Sequence, residues 1–159
     1  HATVYENDEA RTVDIGYVGE VTEIDTGIIV DLLNQGYVPV IAPIGMGSEG
    51  ESYNINADYV AAEIAGALCA EKFLLLTDVE GVYKDFGDKS SFLSQLHADE
   101  AKEYIRSGVI AGGMIPKVEA CLRALEAGAH KTHIIDGRLA HSIILEIFTS
   151  RGIGTMVLP

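Results

Sequence analysis

Apolar residues change their spacing several times along the chain, and each change marks an element. Val13, Ile15 and Tyr17 alternate with polar positions, Gly19 interrupts, and Val21 follows, which predicts a β-hairpin or bent strand pair over 12–24. Asp25 then caps a helix with the stripe Ile28, Ile29, Leu32 and Leu33, ended at Gly36. YVPVIAPIG, 37–45, predicts a short buried strand that runs into a glycine-rich loop at 45–50. Ala57, Val60, Ala61, Ile64, Ala65 and Leu68 recur at i, i+3, i+4, i+7, i+8 and i+11, the period of an amphipathic helix, and Asn56 is a natural cap for it.

The continuous apolar run in KFLLLTDVEGVY, 72–83, predicts a buried strand ending at Thr77 and Asp78. A polar loop at 85–91 precedes a helix over about 98–107. After a loop at 108–113, Pro116 falls in the first turn of a helix that buries Val118, Cys121, Leu122 and Leu125 and stops at Gly128. THIID, 132–136, is another strand, 143–147 another helix, and GTMVLP a closing strand. Strands alternating with helices predict an α/β fold with a mainly parallel sheet sandwiched by helices. Crossovers should be right-handed, with ligand loops at the carboxyl ends of the strands. The 159 residues fit one domain, 1–159, with 1–11 expected to be flexible, and no repeat or linker interrupts it.

Charge narrows the partners. A net charge of −13, from 24 acids against 11 bases, disfavours nonspecific nucleic acid and anionic membrane, whose phosphates such a field repels. It does not exclude a small anionic ligand, since one lysine in a dipole-lined pocket outweighs a screened, distant field. No apolar run has the length of a bilayer span and no leader is evident, so a cytoplasmic protein is expected. A chain opening on His1 reads as a fragment, a processed product or a tagged chain. Cys69 and Cys121, on apolar helical faces without metal or C-x-x-C spacing, read as reduced core thiols.

Three stretches could carry chemistry. In SYNINAD, Asn54, Asn56 and Asp58 occupy every second position before a helix start. In an extended segment this points all three to one side, with amides for a carboxylate and an aspartate for a cation. A capped helix with Asx turns accounts equally for Asn56 but less well for Asn54 and Asp58. Thr77 and Asp78 stand at a strand end, where α/β proteins place ligand contacts and where simple turns also occur. In GGMIPK, Gly112 and Gly113 permit close backbone approach, and Lys117 lies one turn into the following helix. Taken alone, that is either a phosphate cradle or a flexible turn with a surface lysine. The five histidines (His1, His97, His130, His133 and His141) show no metal-ligand spacing, and the acidic run 6–9 reads as a solvated face.

In order, VGEVTEID, PVIAPIG, YNINADYVAAEIAGALCAEKFLLLTDVEGVY, GVIAGGMIPKVEACLRALEAG, HIIDGR and LEIFTSRGIGTMV resemble the carboxyl-terminal half of the acetylglutamate kinases, a branch of the amino acid kinase family. The resemblance runs from about Val13 to the end of the chain. Sister kinases for aspartate, carbamate, uridylate or glutamate share the fold but are not similar at NINAD.

The resemblance implies an enzyme of arginine biosynthesis that moves the γ-phosphoryl of ATP, with Mg²⁺ held mainly by nucleotide oxygens and waters, to the side-chain carboxylate of N-acetyl-L-glutamate. It implies catalytic roles for Lys117 and Asp58. Asn54 and Asn56 would bind the substrate, and Thr77, Asp78, Gly112, Gly113, Met114 and Lys117 the nucleotide. HIIDGR and LEIFTSRGIG are similar to segments of arginine-inhibited members, which implies L-arginine contacts at His133, Glu146, Gly152 and Lys72. The same two segments could simply pack the carboxyl terminus. The family's amino-terminal half, with a first glycine-rich loop, a second catalytic lysine, most of the substrate pocket and the edge for homo-oligomer assembly, is absent from this chain. The alternatives are an isolated module that binds nucleotide or arginine without turnover, and a structural fragment whose sheet is cut.

Overall fold

The computed structural model describes residues 2–6, 9–13, 15–149 and 152–159. Strands β1 (Ala2–Glu6) and β2 (Glu9–Val13) pair antiparallel, with Ala2 opposite Val13. The strand pair expected over 12–24 does not form: Val13 ends β2, residue 14 lies outside the described residues, and 15–26 carries one isolated bridge, Val18 to Asn54. The segment braces another element instead of folding on itself. Asn54 donates its amide to Tyr17 O at 2.8 Å and accepts from Gly19 N at 3.1 Å.

Helix α1 (Gly27–Asn34) has the expected apolar stripe but buries none of its residues. Its N-cap is Thr26, while Asp25 forms an Asx turn one position earlier, accepting from Gly27 N at 2.9 Å. The buried strand expected at 37–45 is also corrected. Only β3 (Ile44–Met46) is strand, pairing antiparallel with β4 (Ser52–Asn54). Pro39 and Pro43 remove two backbone donors, and no described strand lies beside 37–43. Most of these residues are exposed instead, with Val38 at 87% and Val40 at 96%.

Helix α2 (Ala57–Ala67) begins as its sequence predicts, with Asn56 Oδ1 accepting from Asp58 N at 2.9 Å and Tyr59 N at 3.3 Å. Then come β5 (Phe73–Thr77), β6 (Val82–Tyr83), a 3₁₀ turn at Lys89–Ser91, β7 (Phe92–Leu93) and β8 (Gln95–His97). Helices α3 (Ala98–Arg106) and α4 (Met114–Ala127), strand β9 (Thr132–Asp136), helix α5 (Ser142–Phe148) and strand β10 (Thr155–Leu158) complete the order. The central sheet runs β5-β9-β10-β8, with β5 parallel to β9, β10 parallel to β8, and β9 and β10 antiparallel. The expected mainly parallel α/β sheet is therefore present. Among the described residues no helix is long and apolar enough to cross a membrane.

Phe73, Leu75, Ile134 and Val157 from the sheet meet Ala62, Ala65, Val118, Cys121 and Leu122 from α2 and α4 in one core. Burial pushes the Cys121 thiol up to about 12, so it stays protonated and inert. Cys69 departs from expectation: it lies just past α2 and is exposed. The packing of α2 on α4 depends on Gly66, where an added Cβ would sit 2.2 Å from Ala127 Cβ and 2.9 Å from the Ala127 carbonyl carbon. Gly66→Val should therefore cost about 1–3 kcal/mol through overpacking. A lower urea midpoint at unchanged slope would show it.

Candidate functional site

Helix α4 opens toward a cleft without a side-chain cap. Its N-cap is Gly113, and its first turn is entered through Met114 N to Ala111 O at 3.3 Å and Ile115 N to Gly112 O at 3.2 Å. The amides of Gly112 and Gly113 have no partner among the described residues. Gly112 needs its freedom, since its φ is +57°, and a Cβ at either glycine would meet nothing within 4 Å. Neither residue is glycine to avoid a protein neighbour. The loop thus offers free N–H groups and a positive dipole end to open space, the local chemistry of an anion site.

Lys117, one turn in, reaches across to α2. Its Nζ lies 3.8 Å from Asp58 Oδ2, both side chains being partly buried. Asp58 is the second residue of α2, so two helix amino termini converge on this pair. Asn54, exposed at the end of β4, makes no side-chain hydrogen bond among the described residues. Asn56 uses its oxygen as the cap, which leaves its amide N–H groups facing outward. The cap accounts for Asn56 and leaves Asn54 unexplained by packing.

Beside Lys117 lies a cavity of about 350 Å³, lined among others by Asp78, Tyr83, Phe86, Val109, Gly113 and Met114. Among the described residues Lys117 is the one cation in its wall. Tyr83 meets Phe86 and Phe92 edge-on, with ring centroids 5.9 and 5.2 Å apart, and gives its hydroxyl to Glu80. The sequence reading missed Tyr83 and Phe86, although two aromatics two and five residues beyond Gly81 were the available signal. Thr77 is adjacent but outside the wall: it ends β5 and donates Oγ1 to Asp78 Oδ1 at 3.2 Å. Across β9, Asp136 takes both Nε and an Nη of Arg138 at 2.9 and 2.8 Å, which holds its carboxyl below the ordinary range.

A larger cleft, about 520 Å³, lies between 19–24 and the β3–β4 hairpin. It holds none of the expected site residues, and Glu20, Glu23 and Glu51 line it without a cation, so it opposes phosphate where the smaller cavity attracts it.

His133 and Glu146 form a second centre. Their side chains are each 6% exposed, and His133 Nδ1 lies 2.7 Å from Glu146 Oε1. The other carboxylate oxygen accepts from Ile153 N at 2.6 Å and Gly154 N at 3.2 Å. Gly152 packs on the same carboxylate, a Cβ there falling 3.1 Å from Oε2. Lys72 precedes β5 and joins no ion pair among the described residues. Nor do three or more His, Cys, Asp or Glu side chains cluster to hold a metal among the described residues.

Known proteins share much of this sequence and fold. The chain is 57% identical over 158 residues to acetylglutamate kinase of Moorella thermoacetica, covering 99% of this chain and 53% of that protein. It is 58% identical over 145 residues to that of Heliobacterium modesticaldum, covering 91% and 49%. The chain thus spans about half the length of the curated relatives it matches. Its fold superposes on N-acetylglutamate synthase from Neisseria gonorrhoeae, complexed with coenzyme A and L-arginine, with a TM-score of 0.81 at 28% identity over 92% of this chain and 33% of that one. Carbamate kinase from Giardia lamblia bound to AMP-PNP matches with a TM-score of 0.65 at 20% identity, over 89% and 46%, a likeness of fold alone. The model of the amino acid kinase family matches residues 3–136, and the chain belongs to that family.

Proposed function

We propose that this chain supplies the ATP site and one wall of the substrate site of an acetylglutamate kinase, a cytoplasmic enzyme of arginine biosynthesis. The observation that carries the reading is the Lys117–Asp58 pair at the mouth of an uncapped glycine-loop helix, in a chain 57% identical to a kinase of that name.

In this reading ATP, with Mg²⁺ held chiefly by its own oxygens, provides the γ-phosphoryl. A side-chain carboxylate oxygen of N-acetyl-L-glutamate bonds to the γ-phosphorus, the bond to the β,γ-bridging oxygen breaks, and ADP leaves. The acceptor is ionised near neutral pH, so no general base is needed. The protein's task is positioning and charge neutralisation. Lys117 balances charge on the moving phosphoryl, and Asp58 aims the ammonium. The amides of Gly112 and Gly113 meet phosphate oxygens, while Thr77 and Asp78 border the nucleotide. Tyr83, Phe86, Val109 and Met114 offer the base an apolar wall. Asn54 and the outward amide of Asn56 suit the substrate's α-carboxylate and acetyl group.

The remaining elements of the site belong to a complementary half. The relatives' double length supports this, as do the bare stripe of α1 and the exposed residues at 37–41. Homo-oligomer assembly belongs to that completed protein.

An ADP-release assay with MgATP, run on the chain together with the amino-terminal half of a relative, tests the proposal. ADP should form only when N-acetylglutamate is added, and hydroxylamine should trap the acyl phosphate. ADP release indifferent to N-acetylglutamate would refute it.

A second reading, control by L-arginine at His133, Glu146, Gly152 and Lys72, is favoured by the arginine-complexed synthase of similar fold. A guanidinium suits the Glu146 carboxylate, yet that group is buried and already takes three hydrogen bonds. In this reading, entry of arginine requires the Ile153 and Gly154 amides to release the Glu146 carboxylate.

A further inference from the structure

We infer that Thr155 is a positioning residue of the nucleotide cleft, fixing the loop after β5 from behind; this rests on the nucleotide reading above. Thr155 begins β10 and is fully buried. Its Oγ1 accepts from Val82 N at 2.8 Å and donates to Leu93 O at 2.6 Å. Val82 and Leu93 face each other in the β6–β7 register, so one hydroxyl fastens that strand pair to the central sheet.

The loop so fastened is a wall of the 350 Å³ cavity, to which Asp78, Gly81, Val82 and Tyr83 all contribute. It lies directly against Thr155: a Cβ on Gly81, whose φ is +153°, would sit 2.5 Å from Thr155 Oγ1 and 3.1 Å from Thr155 N. The hydroxyl therefore sets where the loop stands in the cavity that Lys117 also lines.

Thr155 is itself held rigidly. Glu146 grips the amides of Ile153 and Gly154 just before it. At Gly154 an added Cβ would fall 2.2 Å from Ile134 O, so the backbones of β9 and this turn are in contact. Neither strand can shift alone. Position along β10 is thereby transmitted through a single hydroxyl to the cleft wall.

The test is MgADP affinity by calorimetry, at a temperature where circular dichroism shows each variant folded. Thr155→Val should weaken binding about tenfold, since it loses both hydrogen bonds at nearly constant volume. Thr155→Ser, which keeps the hydroxyl, should restore affinity to within about threefold of the parent. Val157→Ala, also buried in β10 but away from the loop, should lower the melting temperature and leave affinity unchanged. If Thr155→Val does not fold, Thr155→Cys takes its place, its thiol being a weak hydrogen-bonding group. Parental affinity in a folded Val or Cys variant overturns the inference, as does an equal loss in Val157→Ala. Absence of nucleotide binding by the parent protein defeats the functional reading itself, a result separable from these.

Discussion

Exchanging Lys117 for alanine is expected to lower kcat of the completed enzyme by roughly 10²–10³-fold, the usual effect of removing one preorganised group that meets transition-state charge. Lys117 is the one cation among the described residues in the wall of the cavity, in a chain of net charge −13. No neighbour in that wall can take over its task. The substitution also strands the Asp58 carboxylate, now unpaired, near incoming phosphate. Part of the loss should therefore be repulsion, and Asp58→Asn added to Lys117→Ala should recover some rate. The two changes would then be strongly non-additive in a double-mutant cycle. Folding should barely respond, because a partly exposed pair at 3.8 Å contributes about 0–1 kcal/mol. Steady-state kinetics with a melting curve on the same samples separates the two effects. An unchanged kcat would remove Lys117 from the mechanism.

For Glu146→Ala the expected loss is in stability, about 3 kcal/mol or more, since several buried donors lose their acceptor at once. The carboxylate takes the His133 ring and the amides of Ile153 and Gly154, and it is almost fully enclosed. His133 would suffer most, because its Nε2 already lacks a partner among the described residues. The loss should also depend on pH. Burial pushes the Glu146 carboxyl up from its ordinary 4.5, but the Ile153 amide, the His133 ring and the Gly154 amide outweigh burial and hold it lower. A carboxyl more acidic folded than unfolded stabilises the fold above its unfolded value, near 4.5, and loses that contribution as pH falls through the lower folded value. The melting-temperature gap between the parent and Glu146→Ala should accordingly be widest near neutrality and shrink below about pH 4. A gap independent of pH would mean that the carboxylate's charge does not contribute.

What was readable in advance follows from range. Helix α2 and its Asn56 cap are local, set by a 3.6-residue period and one side chain, and they form as the sequence predicts. Strand β5 announces itself by an unbroken apolar run. The stretch at 37–43 misled because a strand exists only against a partner, and apolar alternation says nothing of whether one is present. Asp25 was placed one residue off because Asx turns and helix caps use the same side chain. The His133–Glu146 pair, thirteen residues apart, came from family resemblance and not from any local pattern. Thr155 gave no signal at all. One threonine at a strand start is ordinary, and its two hydrogen bonds reach residues 73 and 62 positions away.

Val38 and Val40, almost bare on the outer side of an extended segment, bear on how the isolated chain behaves in the test tube. Ile28 and Leu33 of α1 are exposed as well, which adds to the apolar surface the chain presents. An unpaired extended edge rich in valine invites other chains to add strands to it. The solution behaviour of the chain should therefore depend on concentration, with apparent mass in sedimentation rising as protein is added. Lysine at positions 38 and 40 should suppress that rise, the charge placement by which natural sheet edges avoid adhesion.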